Sequence, residues 1–253
     1  MSNVCVVMYH GIDDSGSVIS TTPSLFAKQI ETWISQGVRF LRLSEFLAIA
    51  QGNAPIEQNA ILLTFDDGLL SVYESAFSIL RKERIPATIF LVSAYMGKMN
   101  QWPGQPAFVP TLPVMSWEQA REMHHAGIEF GVHTATHPRL TSCDDITVDR
   151  ELHECSTALQ QALTSSKRVR AVAYPYGAVS PAIEDIARER FAVGFGTRVG
   201  KVRAKVNLMN IPRVDAYDLR NEAVYARLFT PGGNAYLSLR GIIRSAKSRI
   251  RGT

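Results

Sequence analysis

Short apolar runs rich in β-branched residues alternate with longer segments whose apolar residues recur at helical spacing, and this alternation constrains the fold most strongly. Strand and helix in regular alternation are typical of a parallel sheet with helical crossovers. The predicted strands are 4–9, 61–65, 87–92, 128–132, 169–174, 192–195 and 211–214. The predicted helices are 23–36, 69–84, 117–126, 144–163 and 181–190.

This number of strand–helix units in 253 residues favours an α/β fold of the distorted (β/α) barrel type, with about seven strands, over an open sheet. Apolar residues make up 46% of the chain, which is enough for a substantial core. We expect one barrel domain over residues 1–230 and a basic C-terminal tail over 231–253. In a barrel, the active-site residues lie at the C-terminal ends of the strands and in the loops that follow them.

Acidic and histidine side chains follow two of the predicted strands. Asp66 and Asp67 end the run 61–65, and His133 and His137 follow the run 128–132. A His/His/carboxylate set can hold a divalent metal that lowers the pKa of a bound water, and a second carboxylate can take the proton. The pattern predicts a metal-dependent hydrolytic site. Helix capping by the aspartates and local hydrogen bonding by the histidines are the alternatives.

Three segments resemble, in order and spacing, the motifs of the polysaccharide deacetylase family, the NodB-homology enzymes. They are Thr-Phe-Asp-Asp-Gly at 64–68, His-Thr-Ala-Thr-His at 133–137 and Ala-Tyr-Pro-Tyr-Gly at 173–177, and the resemblance covers residues 4–215. It implies a distorted barrel that removes acetyl groups from N-acetylated sugars with a divalent metal. The chain departs from the family pattern twice: Ala173 stands where Arg is usual, and no His follows His153 to serve as the usual acid.

The resemblance implies a role for each motif residue. Asp66 corresponds to the general base, and Asp67, His133 and His137 correspond to the metal ligands. The backbone N–H of Tyr176 corresponds to an oxyanion-hole donor. Zn²⁺ is the expected metal, with Co²⁺ and Ni²⁺ as alternatives, because a His/His/Asp set suits several ions.

His10 ends the first predicted strand and is the predicted general acid, in place of the missing late histidine. A permuted branch of the family, which resembles deacetylases of poly-N-acetylglucosamine export, begins with a similar Tyr-His segment. The alternative is that His10 only closes a barrel turn. Arg213 is predicted to replace the missing Arg and orient Asp66, and Asp215 to tether His10. A surface ion pair between Arg213 and Asp215 is the alternative.

Residues 97–114 contain four prolines, which exclude a helix or a central strand. A long irregular segment within a compact domain is usually a lid or a binding loop. Trp102 and Phe108 in this segment either stack on sugar rings or pack as core beneath the loop. Substrate contacts are predicted for Trp102 and, from the third motif, for Pro175 and Tyr176.

The C-terminal tail is basic, because residues 240–251 carry five arginines and lysines in a chain of net charge +4. Together with its apolar residues, this pattern predicts either peripheral contact with an anionic membrane or a frayed, solvated end. A lipid-linked sugar would be a plausible substrate in the first case. The charge of the whole chain is too mild to predict nucleic-acid binding, and the sequence carries no signal for an oligomeric state.

Three widely spaced cysteines, a start without signal-peptide character and the lack of a long apolar stretch predict a cytoplasmic protein, located at the inner face of the membrane if the tail binds there. The predicted function is hydrolysis of an N-acetyl group from an amino sugar in a glycan or glycan precursor. The alternatives are a catalytically inactive carbohydrate-binding protein of the same fold, and a deacylase of a non-sugar amide or an O-acetyl ester.

Overall fold

The computed structural model describes residues 3–163, 169–202 and 206–251, with side chains as far as residue 243. The basic side chains predicted for the tail from Arg244 onward lie outside this description. The strands are β1 Val4–Tyr9, β2 Gly11–Ile12, β3 Ser20–Thr21, β4 Arg39–Phe40, β5 Ala60–Phe65, β6 Ala87–Leu91, β7 Glu129–Val132, β8 Ala171–Ala173, β9 Val193–Phe195 and β10 Val214–Asp215. The helices are α1 Pro23–Ser35, α2 Leu43–Ala50, α3 Phe77–Lys82, α4 Trp117–His125, α5 Asp145–Ala162, α6 Pro181–Arg190, α7 Glu222–Tyr225 and α8 Pro231–Arg251.

The main sheet is parallel, with the order β10-β1-β5-β6-β7-β8-β9 and with β4 added beside β5. The segment 211–215 lies between its two ends, because Ile211 pairs with Phe195 of β9 and Val214 pairs with Val7 of β1. The sheet therefore curls into a distorted, incomplete barrel, which confirms the predicted fold class. Of the predicted strand 211–214, only Val214 lies in a regular strand, β10, since Pro212 has no N–H for the ladder.

Side chains alternate between the inside of the barrel and the layer under the helices, as the two-residue period of a strand requires. Val4 and Val6 of β1 belong to a core cluster shared with Phe90 and Phe195 from other strands, whereas Cys5 and Val7 belong to the cluster beneath the helices. The inward-facing positions of β1 are 4, 6 and 8, and His10 is the next position of this kind. The corresponding positions of β5 are 60, 62 and 64, and Asp66 is the next. The same alternation that builds the core thus directs both side chains inward.

The predicted helix 69–84 corresponds to a helical stretch over residues 70–82, but this stretch is not a regular α-helix throughout. Leu70 N donates to Pro113 O, Met115 N donates to Gly68 O, and Leu69 forms a bridge with Val114, so the start of the stretch is bonded to the proline-rich loop 97–114. A π-helical turn Val72–Ala76 then leads into α3. Sequence periodicity reveals neither the π-helical turn nor the bonds to the loop.

Helix α2 was not predicted, and it closes the N-terminal end of the barrel. Its buried face, Leu43, Phe46, Leu47 and Ala50, joins the interior cluster. The backbone N–H of Leu43 donates to Glu129 at the start of β7, with Leu43 N 2.8 Å from Oε2. The buried spacing i, i+3, i+4, i+7 and the capping box formed by Glu45 were signals for this helix.

Residues 231–251 form helix α8, and Leu237 of this helix is buried in the core cluster beneath the helices. Among the described residues, no helix is long and apolar enough to cross a membrane.

We predict that Phe46→Ala lowers the free energy of unfolding by about 3–5 kcal/mol, because it removes a fully buried ring from the helix that closes the barrel. Phe108→Ala is the matched control: that ring is 71% exposed, and its removal should change the value by less than about 0.5 kcal/mol. Urea unfolding followed by circular dichroism measures both. Equal effects of the two substitutions would contradict the assigned role of α2.

Candidate metal centre and active site

Asp67, His133 and His137 converge at the C-terminal end of the sheet. One potential ligand atom from each residue lies within 4.8 Å of the others, and all three residues are buried. The Nε2 atoms of both histidines lie 3.4 Å from Asp67 Oδ1. These are the three residues that the motifs predicted as metal ligands, and they come from loops after two different strands, β5 and β7.

A backbone carbonyl sets the tautomer of His133. Its Nδ1 lies 2.8 Å from the carbonyl oxygen of Ala173. A carbonyl can only accept a hydrogen bond, so Nδ1 carries the proton and the lone pair of Nε2 faces Asp67. Ala173 stands where the family usually has Arg, and here its backbone orients a ligand.

Left-handed backbone conformations concentrate around this cluster. Among the described non-glycine residues, φ is positive at Asp67 (70°), Thr134 (67°), His137 (62°) and Tyr176 (58°), and elsewhere only at Arg84. Such conformations are strained for residues with a Cβ and persist where the surroundings impose them. The loops are therefore held in a specific shape that fixes the direction of the ligand side chains.

The donor set fits a divalent metal. Asp67 Oδ1 is buried without a hydrogen-bond donor among the described residues, which is costly for a carboxylate oxygen unless a cation approaches it. Two imidazole nitrogens and one carboxylate oxygen suit Zn²⁺, Co²⁺ or Ni²⁺.

Arg213 forms a bidentate ion pair with Asp66. Nη1 and Nη2 each lie 2.7 Å from one carboxylate oxygen, and both residues are buried. Arg213 Nε donates to the carbonyl oxygen of Gly196 at 2.8 Å, and the guanidinium carbon lies 6.0 Å and 5.9 Å from the ring centroids of Phe90 and Phe195. The structure thus brings together Arg213 and Asp66, whose pairing the sequence analysis expected, and the catalytic role of the pair stays a prediction.

This ion pair keeps Asp66 charged. Burial alone would raise the pKa of Asp66, but the Arg213 guanidinium and then His133 outweigh it, so the pKa lies below its usual value. A carboxylate beside a metal site that is ionised, oriented and buried can accept a proton from a water.

His10 lies in the wall of the same cavity as Asp66, Asp67, His133 and His137. The backbone N–H of Asp66 donates to Tyr9 O at 2.9 Å, which extends the β1–β5 ladder to the level of His10. Asp215 pairs with Met8 in the register of β10 and β1, and its Oδ1 accepts a hydrogen bond from the N–H of Tyr217 at 3.0 Å. The tether from Asp215 to His10 stays a prediction.

The cavity has a volume of about 210 Å³, and mainly apolar and aromatic side chains surround the charged cluster. Beyond the cluster, its walls are Ile19, Trp102, Gln105, Pro106, Phe108, Val109, Tyr174, Tyr176 and Thr197. Such walls exclude water and strengthen electrostatic interactions within the site.

Trp102 and Phe108, the two aromatic residues of the proline-rich loop, differ in their exposure. Trp102 is buried, with its ring 4.4 Å from the His137 ring and 5.5 Å from the Tyr95 ring, centroid to centroid. Phe108 instead stands exposed at the cavity mouth. Asn100 holds the loop, since its Oδ1 accepts from Leu112 N at 2.7 Å and its Nδ2 donates to Pro110 O at 3.2 Å.

Pro175 begins a tight turn, Pro175–Gly177, that presents Tyr176 to the site. Pro175 is buried, whereas its neighbours Tyr174 and Tyr176 line the cavity, so a direct substrate contact of Pro175 stays a prediction. Gly177 has φ of +65°, and a Cβ there would lie 2.1 Å from Thr197 Oγ1, so only glycine fits. The Tyr176 ring meets the His137 ring edge-on at 4.8 Å.

Glu151 is a functional candidate that the sequence analysis missed. It is buried on α5, and its two carboxylate oxygens accept hydrogen bonds from Thr136 N (2.8 Å) and Thr136 Oγ1 (2.7 Å). Its backbone carbonyl accepts from Ala135 N at 3.1 Å. Glu151 therefore clamps the loop between the two histidine ligands. Its position among Val148, Leu152, Cys155 and Leu159, on the apolar stripe of the helix, was the available signal.

Fold and site together define an α/β-barrel protein with an Asp-His-His set that could hold a metal ion, beside a buried, arginine-held carboxylate. A family model described as polysaccharide deacetylase matches residues 53–190, more than half of the chain, and the chain belongs to this family. Membership confirms the resemblance predicted from the three motifs and, with it, the predicted enzyme class, a carbohydrate deacetylase.

The chain is similar to characterised relatives over most of its length. A poly-β-1,6-N-acetyl-D-glucosamine N-deacetylase of Staphylococcus aureus (strain MSSA476) is 28% identical over 206 residues, 77% of this chain and 67% of the relative. Its counterpart from Staphylococcus epidermidis is 26% identical over the same shares.

Solved structures share the fold. The structure of IcaB from Ammonifex degensii superposes with a TM-score of 0.77 at 25% identity and covers 94% of this chain and 97% of that one. The Streptococcus pyogenes deacetylase PplD, in complex with acetate, has a TM-score of 0.72 at 24% identity, over 84% and 92% of the two chains. The second likeness supports the fold alone.

We predict that Glu151→Ala weakens Zn²⁺ binding about 10–100-fold, because the loop between His133 and His137 loses its clamp. Glu151→Gln should retain most of the affinity, since its amide can still accept from Thr136 N and donate to Thr136 Oγ1. Competition with a chromophoric chelator measures the Zn²⁺ affinity. His133→Ala is the reference variant, because it shows how much affinity is lost when a metal ligand itself is removed.

Glu154→Ala is the matched control, because Glu154 lies exposed on the same helix. Thermal unfolding shows whether each variant is folded at the assay temperature. Equal Zn²⁺ affinity of folded Glu151→Ala and Glu154→Ala would contradict the positioning role.

Proposed function

We propose that the protein is a metal-dependent hydrolase that removes N-acetyl groups from amino sugars of a glycan. Poly-β-1,6-N-acetyl-D-glucosamine, named for the Staphylococcus relatives, is the first substrate to test. One observation carries the proposal: an ionised Asp66, held by buried Arg213, lies in one cavity with the Asp67, His133 and His137 cluster. This combination supplies a base next to a metal site.

Asp66 takes the proton of the water that attacks the acetamide carbon. Its carboxylate cannot turn away from the cavity, because both oxygens are bonded to Arg213. A metal held by Asp67, His133 and His137 would polarise the acetamide oxygen and lower the pKa of a bound water. Zn²⁺ is the proposed ion, with Co²⁺ and Ni²⁺ as alternatives.

Two further groups complete the reaction. The backbone N–H of Tyr176, fixed by the turn at Pro175–Gly177, donates to the oxygen of the tetrahedral intermediate. Protonated His10 donates its proton to the sugar nitrogen as the C–N bond breaks, which yields acetate and a free amine. This use of an early histidine is the one expected from the resemblance to the permuted branch of the family, and the position of His10 in the wall of the same cavity supports it.

The cavity supports a small acyl group rather than a long one. Its volume of about 210 Å³ lies below the roughly 300–1,000 Å³ of pockets that bury drug-sized ligands, which suits an acetamido group with one sugar ring. Neighbouring sugars of a chain would then lie outside, where Phe108 offers an exposed face.

A carbohydrate-binding protein without turnover is the second candidate, favoured by the lack of Arg at position 173 and of a late histidine. Arg213, from another segment, supplies the guanidinium that is missing at position 173. His10 is available in place of the late histidine. A binding protein has no use for an ionised base beside a metal site, which favours the hydrolase.

Acetate release from the glycan, from its O-acetylated form and from a non-sugar acetamide distinguishes the predicted substrates.

We predict that Asp66→Asn lowers kcat for acetate release by about two to four orders of magnitude, because the amide cannot accept the proton. Metal content should stay unchanged, since Asp67, His133 and His137 are intact. Enzymatic detection of acetate together with metal analysis of the purified protein measures both.

Asp145→Asn provides the matched control, because this carboxylate lies exposed at the start of α5. Full activity of Asp66→Asn would exclude Asp66 as the base. No acetate release by the wild type with bound metal, from any of the three substrates, would favour the binding protein.

A further inference from the structure

Helix α8 is attached to the barrel along one side. Leu237 is buried in the core, Asn234 Oδ1 accepts a hydrogen bond from Lys201 Nζ at 2.6 Å, and Arg240 Nε lies 2.9 Å from Asp218 Oδ1. These contacts fix the orientation of the helix about its axis. They therefore define which residues face away from the domain.

A second apolar face lies on the outer side of α8. Leu239 is 56% exposed and Ile242 is 68% exposed. At about 100° per residue, Leu239 and Ile242 lie roughly 60° apart on the helix, and each is more than about 130° from Leu237. In the sequence, Ala246 follows Leu239 by seven residues and Ile250 follows Ile242 by eight, which continues the apolar pattern at helical spacing. A domain-packed helix needs one apolar face, so the outer stripe is not explained by the fold.

The same part of the chain is strongly cationic. No Asp or Glu occurs after Glu222, whereas arginine or lysine stands at 227, 240, 244, 247, 249 and 251. An apolar stripe with flanking cations and no acidic residue is typical of a helix that lies in the interface of an anionic membrane.

We propose that α8 holds this protein on the surface of a bilayer that contains anionic lipid, with Leu239 and Ile242 inserted between the lipid headgroups. A second copy of the chain fits the stripe less well, because pairing two such helices would bring their cations together. A nucleic acid would pair its phosphates with the arginines and lysines but would leave Leu239 and Ile242 exposed to water.

This location bears on the substrate. A protein held at a bilayer meets glycans that are attached to lipid or emerge at the membrane, so a lipid-linked glycan becomes the favoured substrate class. That consequence rests on the proposed function, whereas the membrane contact does not. A lipid-binding assay therefore tests the contact even if acetate release fails.

Co-sedimentation of the full chain with vesicles tests the proposal. We expect binding to vesicles with about one quarter phosphatidylglycerol and little binding to phosphatidylcholine alone, with loss of binding as salt is raised. Leu239→Ser combined with Ile242→Ser should lower the partition coefficient at least about tenfold. Arg244→Gln combined with Lys247→Gln should lower it by a similar factor on the anionic vesicles only.

Ile146→Ser is the matched control, because Ile146 is an 80% exposed isoleucine on α5, and it should bind vesicles like the wild type. Circular dichroism and release of acetate from a soluble substrate show that the variants are folded. Equal binding by the Leu239/Ile242 variant and the Ile146 variant would overturn the proposal. So would conversion of a lipid-free dimer to a monomer by the Leu239/Ile242 substitutions, or tighter binding to duplex DNA than to anionic vesicles.

Discussion

A buried arginine–carboxylate pair is the interaction on which the rest of this site depends. Taking Arg213 and Asp66 out of water is costly, and the cost is offset only because the two groups meet in a bidentate geometry and Gly196 O accepts from the remaining Nε. Without Arg213, burial would act on Asp66 without its main compensation, so its pKa would rise and its charged form would be less stable. The pair thus links the stability of the barrel interior to the chemistry at its mouth.

The barrel topology explains how distant parts of the chain form one site. β1 lies between β5 and β10, so His10, Asp66 and Arg213 come from three adjacent segments although they span most of the sequence. The histidine ligands and Tyr176 follow β7 and β8. Strained loops and the Glu151 clamp hold these residues in place. We propose that Arg213 and His10, from other segments, take the places of the two missing family residues.

Much of this could be predicted because buried parallel strands appear in sequence as continuous apolar runs. The run 4–9 matches β1 at both ends, and the others lie within one or two residues of their strands, apart from the segment broken by Pro212. The Asp-His-His set was predictable from strand ends and motifs. The hydrogen bonds between residues 68–70 and the proline-rich loop, and the clamp at Glu151, were not predictable, because both join segments far apart in sequence.

A double-mutant cycle on the free energy of unfolding tests the Arg213–Asp66 pair most directly. Arg213→Met alone should cost about 3–5 kcal/mol, because it leaves the Asp66 carboxylate buried without its partner. Adding Asp66→Asn removes the unpaired charge, so the double variant should be more stable than Arg213→Met alone. Strict additivity of the two single effects would contradict the account, because it would mean that the two side chains do not stabilise one another.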